Sequence, residues 1–90
     1  MQKRILVVDD ELDLREILQC NLEAAGYEVD TAASAEEALT LMSGNPDLLL
    51  LDVMMGEISG FMMASIIRKS DMLKHIPIIF ITAKDSENDM

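Results

Sequence analysis

Short apolar runs recur along this chain at residues 5–8, 48–51 and 78–81, with a weaker one at 27–32. The three stronger runs lack polar alternation and are rich in Ile, Leu and Val, the pattern of strands buried on both faces of a parallel sheet. The segments between them have helical spacing. Leu14, Ile17, Leu18, Leu22 and Ala25 follow the i, i+3, i+4 rule, and Gly26 stands where such a helix ends. Ser34-Ala35-Glu36-Glu37 reads as a capping box, followed by Ala38, Leu39 and Met42 on one face and a stop at Gly44-Asn45-Pro46. A third helix is expected from Gly60 or Phe61 to Lys69, burying Phe61, Ala64 and Ile67, and Asp85 or Ser86 suits the cap of a fourth. Strand alternating with helix implies crossover connections and a parallel sheet covered on both faces, an α/β architecture. With strands starting near residues 4, 28, 48 and 77, each unit takes about 24 residues, so a five-stranded doubly wound domain needs roughly 120. The 90 residues present fall short of that, and the expectation is one domain over residues 1–90, incomplete at its C-terminus.

Composition narrows the function. Half of the residues are hydrophobic and the formal net charge is −10, which disfavours direct nucleic-acid binding and favours a cation or a basic partner surface. One cysteine, Cys20, excludes an internal disulfide. No leader is recognisable at the N-terminus, and no apolar stretch approaches the ~20 residues that span a bilayer. A cytoplasmic protein with no membrane association is the expectation.

The chemistry lies at the strand ends. The first run stops in three consecutive acids, Asp9, Asp10 and Glu11, the third ends in Asp52 and the fourth in Thr82. Open α/β sheets bind ligands at the carboxyl ends of their strands, where the strand order reverses. If strands one and three are neighbours, Asp9, Asp10 and Asp52 converge with a hydroxyl beside them, and three carboxylates in one crevice call for a counter-charge. Mg²⁺ (or another hard divalent cation) answers this, because it binds through a few carboxylates and keeps sites for water and phosphate. A carboxylate beside such an ion can act as a nucleophile and form an aspartyl-phosphate. Helix capping alone explains one acid of the first cluster but not a pair matched to Asp52 on another strand. Asp52 or Thr82 taken singly is an ordinary strand end. The methionines at 54, 55, 62 and 63 are read as packing rather than a cofactor cluster, His75 as a surface residue and Cys20 as a partly exposed bystander.

Val8-Asp9-Asp10-Glu11, Leu51-Asp52-Val53-Met54-Met55, Gly60 and Ile81-Thr82-Ala83-Lys84 together resemble the receiver domain of two-component response regulators. The resemblance implies a flavodoxin-like sheet of order 2-1-3-4, with the fifth strand and last helix missing. It implies that Asp52 accepts a phosphoryl group from a sensor histidine kinase. Asp10, Asp52 and the backbone carbonyl of Met54 would bind Mg²⁺ directly, and Asp9 mainly through water. Thr82 would be the switch hydroxyl, and the small Ala83 would leave Asp52 accessible. By analogy the parent is a transcription regulator with a DNA-binding output domain. Such a protein catalyses its own phosphorylation and is not a turnover enzyme. Two departures stand out. Gly56 occupies a position where the family usually has proline, and the lysine that the family places after its fifth strand has no counterpart, since Lys84 follows Thr82 too closely. Phosphorylation of the 90-residue chain is therefore expected to be weak or absent.

Two alternatives stay open. One is a self-associating fragment without phosphotransfer activity, because an unpaired edge at strand four invites homo-oligomers or domain swapping. The other is a phosphohydrolase of the haloacid-dehalogenase type, disfavoured because that class resembles D-x-D on strand one. A nucleotide-binding module fails for want of G-x-G-x-x-G or G-x-x-x-x-G-K-[ST].

Overall fold

A computed structural model describes residues 2–54 and 59–81. Its elements run β1 (Arg4–Val8), α1 (Leu12–Ala24), β2 (Glu28–Ala32), α2 (Ala35–Leu41), a 3₁₀ turn (Met42–Gly44), β3 (Leu48–Asp52), α3 (Gly60–Arg68) and β4 (Ile78–Ile81). The strands form one parallel sheet of order β2-β1-β3-β4, as the resemblance implied. Val8 stands opposite Ala32 on one side and Leu51 on the other, so the carboxyl ends of β1 and β3 finish level. That register positions the site.

One face of the sheet forms the core. Leu6 and Val8 of β1, Leu49 and Leu51 of β3 and Ala32 of β2 pack with Ala35, Ala38, Met42, Met63, Ile67 and Ile76. Ile5 and Val7 alternate to the opposite face, where α1 lies over β1 and β2. Helix α1 buries no residue fully. Leu14, Leu18 and Leu22 are half-buried, while Ala25 is exposed and Ile17 is 56% exposed. The periodicity located the helix but overstated its burial, because α1 covers only one edge of the sheet and no described element flanks it. Ile79 of β4 is likewise 52% exposed, so β4 is not buried on both faces among the described residues.

The helix ends follow local chemistry. Ser34 Oγ accepts from the Glu37 amide at 3.1 Å, while Glu37 Oε1 accepts from the Ala33 amide at 2.9 Å. The reciprocal bond thus reaches one residue further back than a capping box places it. A Ser34→Ala chain should lose about 1 kcal/mol of unfolding free energy in a urea titration. A loss under about 0.3 kcal/mol would show that Glu37 holds this end alone. Gly26, at φ 101°, occupies the left-handed position that closes α1.

Helix α3 buries Met63 and Ile67, whereas Phe61 is 63% exposed. The expectation that Phe61 is buried is corrected: its register turns it outward, where its ring meets Phe80 at a centroid distance of 5.0 Å. Arg68 Nη1 then donates to the carbonyls of Lys74 (3.0 Å) and Ile76 (2.9 Å), tying the loop before β4 to the end of α3. The expected fourth helix at Asp85 or Ser86 lies outside the described residues.

Candidate metal and phosphoryl site

The site is built from two strand ends and the turns that leave them. Asp9 follows β1 directly, and its amide continues the ladder to Ala32 O at 3.1 Å. Its Oδ1 accepts from the Glu11 amide at 2.9 Å, so the side chain closes the turn into α1. Asp10, one residue on, is exposed. Asp52 is the last residue of β3, and its Oδ1 accepts from the Met54 amide at 3.0 Å. The Val53 amide reaches Ile81 O at 3.3 Å, extending the β3–β4 ladder past the carboxylate.

The level strand ends bring the three aspartates together. One carboxylate oxygen from each of Asp9, Asp10 and Asp52 lies within 4.8 Å of the others. Asp9 and Asp52 are buried and Asp10 is exposed, so the cluster opens to solvent on the Asp10 side. All the side-chain donors are hard oxygens, with no sulfur or imidazole among them, and this set suits Mg²⁺ or a similar divalent cation. Their mutual repulsion at this spacing gives such an ion a purpose in the site. The residues present therefore fit the expected ion.

Met54 follows Asp52 by two residues, is 62% exposed, and meets the cluster through its amide, which donates to Asp52 Oδ1. Gly56, Thr82, Ala83 and Lys84 lie outside the described residues. The methionines divide: Met63 is fully buried, while Met62 and Met54 are exposed, and Met55 is outside the described residues. Cys20 and His75 are exposed, and neither belongs to the aspartate cluster.

The contribution of Arg15 was not legible in the sequence, and the packing role of Gly60 was not either, although Gly60 itself belongs to the motif set. Arg15 Nη1 donates to the Asp9 carbonyl at 2.7 Å, so a cation from the first turn of α1 braces the acidic loop. The available signal was a long cation following the acids on the same helix. Gly60, at the start of α3, donates its amide to Val53 O at 3.2 Å and packs against the end of β3. At the opposite end of the sheet Arg4 pairs with Glu28 at 3.0 Å. The hydrogen bonds that the guanidinium donates to Glu28, and the Glu28 charge, raise its pKa further.

Comparison with known proteins agrees with this geometry. The response regulator receiver domain family matches residues 5–90. The alkaline phosphatase synthesis transcriptional regulatory protein PhoP of Bacillus subtilis is 44% identical over 90 residues, covering 99% of this chain and 37% of that protein. The chemotaxis response regulator CheY4 of Vibrio cholerae superposes with a TM-score of 0.85 at 29% identity, over 97% of this chain and 77% of that one. The response regulator TrrA of Thermotoga maritima, crystallised in complex with Mg²⁺-BeF, gives 0.73 at 38% identity over 96% of this chain and 92% of that one. The chain spans little more than a third of the length of the curated relatives it matches. No helix among the described residues is long and apolar enough to cross a membrane. With a matching family over nearly its whole length, the same strand order and three aspartates gathered at the carboxyl ends of β1 and β3, this chain belongs to the response regulator receiver domains of two-component signalling.

Proposed function

We propose that Asp52 accepts a phosphoryl group from a sensor histidine kinase and that the aspartyl-phosphate switches the domain's output. The observation that carries this reading is the convergence of Asp9, Asp10 and Asp52 from two neighbouring strands, with Asp52 buried at the end of β3. Asp10, Asp52 and the Met54 carbonyl would hold Mg²⁺, with Asp9 acting mainly through water. The ion supplies positive charge against the phosphoryl oxygens. The Asp52 carboxylate supplies the nucleophile, its Oδ1 oriented by the Met54 amide. Asp9, held by the Glu11 amide and braced through its carbonyl by Arg15, keeps the opposite wall of the crevice in place. Thr82 is proposed as the switch hydroxyl that follows the phosphoryl group. PhoP is a transcriptional regulatory protein by name, which supports a transcriptional output in the parent protein, and a DNA-binding output domain is part of this proposal. The test is phosphoryl uptake from acetyl phosphate with Mg²⁺, read by intact mass in the parent chain and in Asp52→Asn.

A second reading concerns the 90-residue polypeptide itself. Among the described residues β4 pairs only with β3, and Ile79 and Phe80 are 52% and 40% exposed. An apolar strand with an unpaired edge templates pairing with another chain. We therefore expect light scattering to show particles heavier than the 10.0 kDa monomer, growing with concentration. A monodisperse monomer at all concentrations would remove this reading.

A further inference from the structure

Gly60 is the first residue of α3 and is buried where the helix meets the end of β3. A Cβ built on it overlaps the Asp52 carbonyl oxygen and falls 2.8 Å from Val53 Cα and 2.9 Å from the Asp52 carbonyl carbon. These are backbone atoms, which cannot rotate aside as a side chain can. The other glycines described differ in kind. A Cβ at Gly26 meets nothing within 4 Å, and one at Gly44 meets only the flexible Arg4 Nη1, at 3.2 Å. The start of α3 is also pinned from both directions. The Gly60 amide donates to Val53 O at 3.2 Å, and Ser59 Oγ caps the helix by accepting from the Met62 amide at 3.2 Å.

We propose that Gly60 is a positioning residue for Asp52: its lack of a side chain lets α3 seat directly on the Asp52–Val53 backbone and so sets where the Asp52 carboxylate stands relative to Asp9 and Asp10. This rests on the phospho-acceptor reading above. The three carboxylates meet within 4.8 Å, and Mg²⁺ tolerates little departure from its preferred geometry. A side chain at 60 must push either the helix or the strand end. The helix is held by its cap and by the burial of Met63 and Ile67, so part of the displacement falls on Asp52. Misplacement of a reacting group by about 1 Å can cost on the order of a hundredfold in rate.

The test compares Gly60→Ala with Gly26→Ala in the full chain. Mg²⁺ binding is measured by calorimetry, phosphoryl uptake from acetyl phosphate by intact mass, and stability by urea titration. Both variants should lose stability, Gly26→Ala through its positive φ. Only Gly60→Ala should bind Mg²⁺ at least about tenfold more weakly and take up phosphoryl groups at least about tenfold more slowly. Gly26→Ala should stay within about twofold of the parent for both. If Gly60→Ala is unfolded in buffer, all three proteins are compared in trimethylamine N-oxide, which favours compact states. Mg²⁺ affinity within about twofold of the parent in folded Gly60→Ala overturns the proposal alone. A Gly60→Ala chain that stays unfolded in the osmolyte overturns it too, because the glycine then serves the fold and not the site. Absence of Mg²⁺ binding by the parent overturns this proposal together with the reading beneath it.

Discussion

An Asp52→Asn chain is expected to take up no phosphoryl group from acetyl phosphate and Mg²⁺, while the parent should gain one per labelled molecule, however small the labelled fraction. The loss is complete because an amide oxygen is a poor nucleophile and Asp9 and Asp10 are placed for other work. Asp9 is committed through Oδ1 to the Glu11 amide, and Asp10 is the exposed member of the cluster. The substitution should leave the fold intact, since asparagine's Oδ1 can still accept the 3.0 Å bond from the Met54 amide. Added Mg²⁺ should stabilise the parent more than the variant, in proportion to their affinities. Uptake persisting in Asp52→Asn would move the acceptor to another residue. Turnover of acetyl phosphate without any mass gain in the parent would favour the phosphohydrolase alternative.

Leu51→Ala should remove about 3–5 kcal/mol of unfolding free energy. Leu51 is fully buried between Val8 and Phe80 in register and belongs to the core that joins β1 and β3 to α2 and α3. Its truncation leaves a cavity in the middle of the sheet, where neighbouring strands cannot collapse to fill it. A 90-residue chain has about 5–13 kcal/mol of stability in total, so this one change takes a large share and should increase self-association. Leu12→Ala, at a residue 56% exposed, should stay within about 0.5 kcal/mol of the parent. Urea titration below the concentration at which the chain associates measures both. A Leu51→Ala cost under about 1 kcal/mol would mean that the core is looser than its burial indicates.

Leu51 and Asp52 also show what is readable without coordinates. An unalternated apolar run ending in an acid indicates a buried strand carrying a polar group at its tip, because burial on both faces excludes polar residues until the strand emerges. The same logic placed Asp9 and Asp10, and apolar spacings of three and four residues, with the cap and stop signals, located α1, α2 and α3. Burial was harder to read. Ile17 and Phe61 sit on apolar stripes yet face outward, and Met63 is buried in place of Phe61, since exposure depends on which neighbour packs against a helix and not on the helix's own spacing. The Ser34 cap was legible because its bonds span only three or four residues.

From residue order alone came the alternation of strands and helices, the acids at the strand tips and the helix signals, all of which arise from interactions within a few positions along the chain. Tertiary structure alone decided that Val8 and Leu51 stand side by side, so that Asp9, Asp10 and Asp52 meet within 4.8 Å. It alone brought Arg15 to the Asp9 carbonyl and α3 so close to β3 that only glycine fits at position 60. Each of those contacts depends on how separate elements pack, and packing distances are set by the whole core rather than by any local stretch.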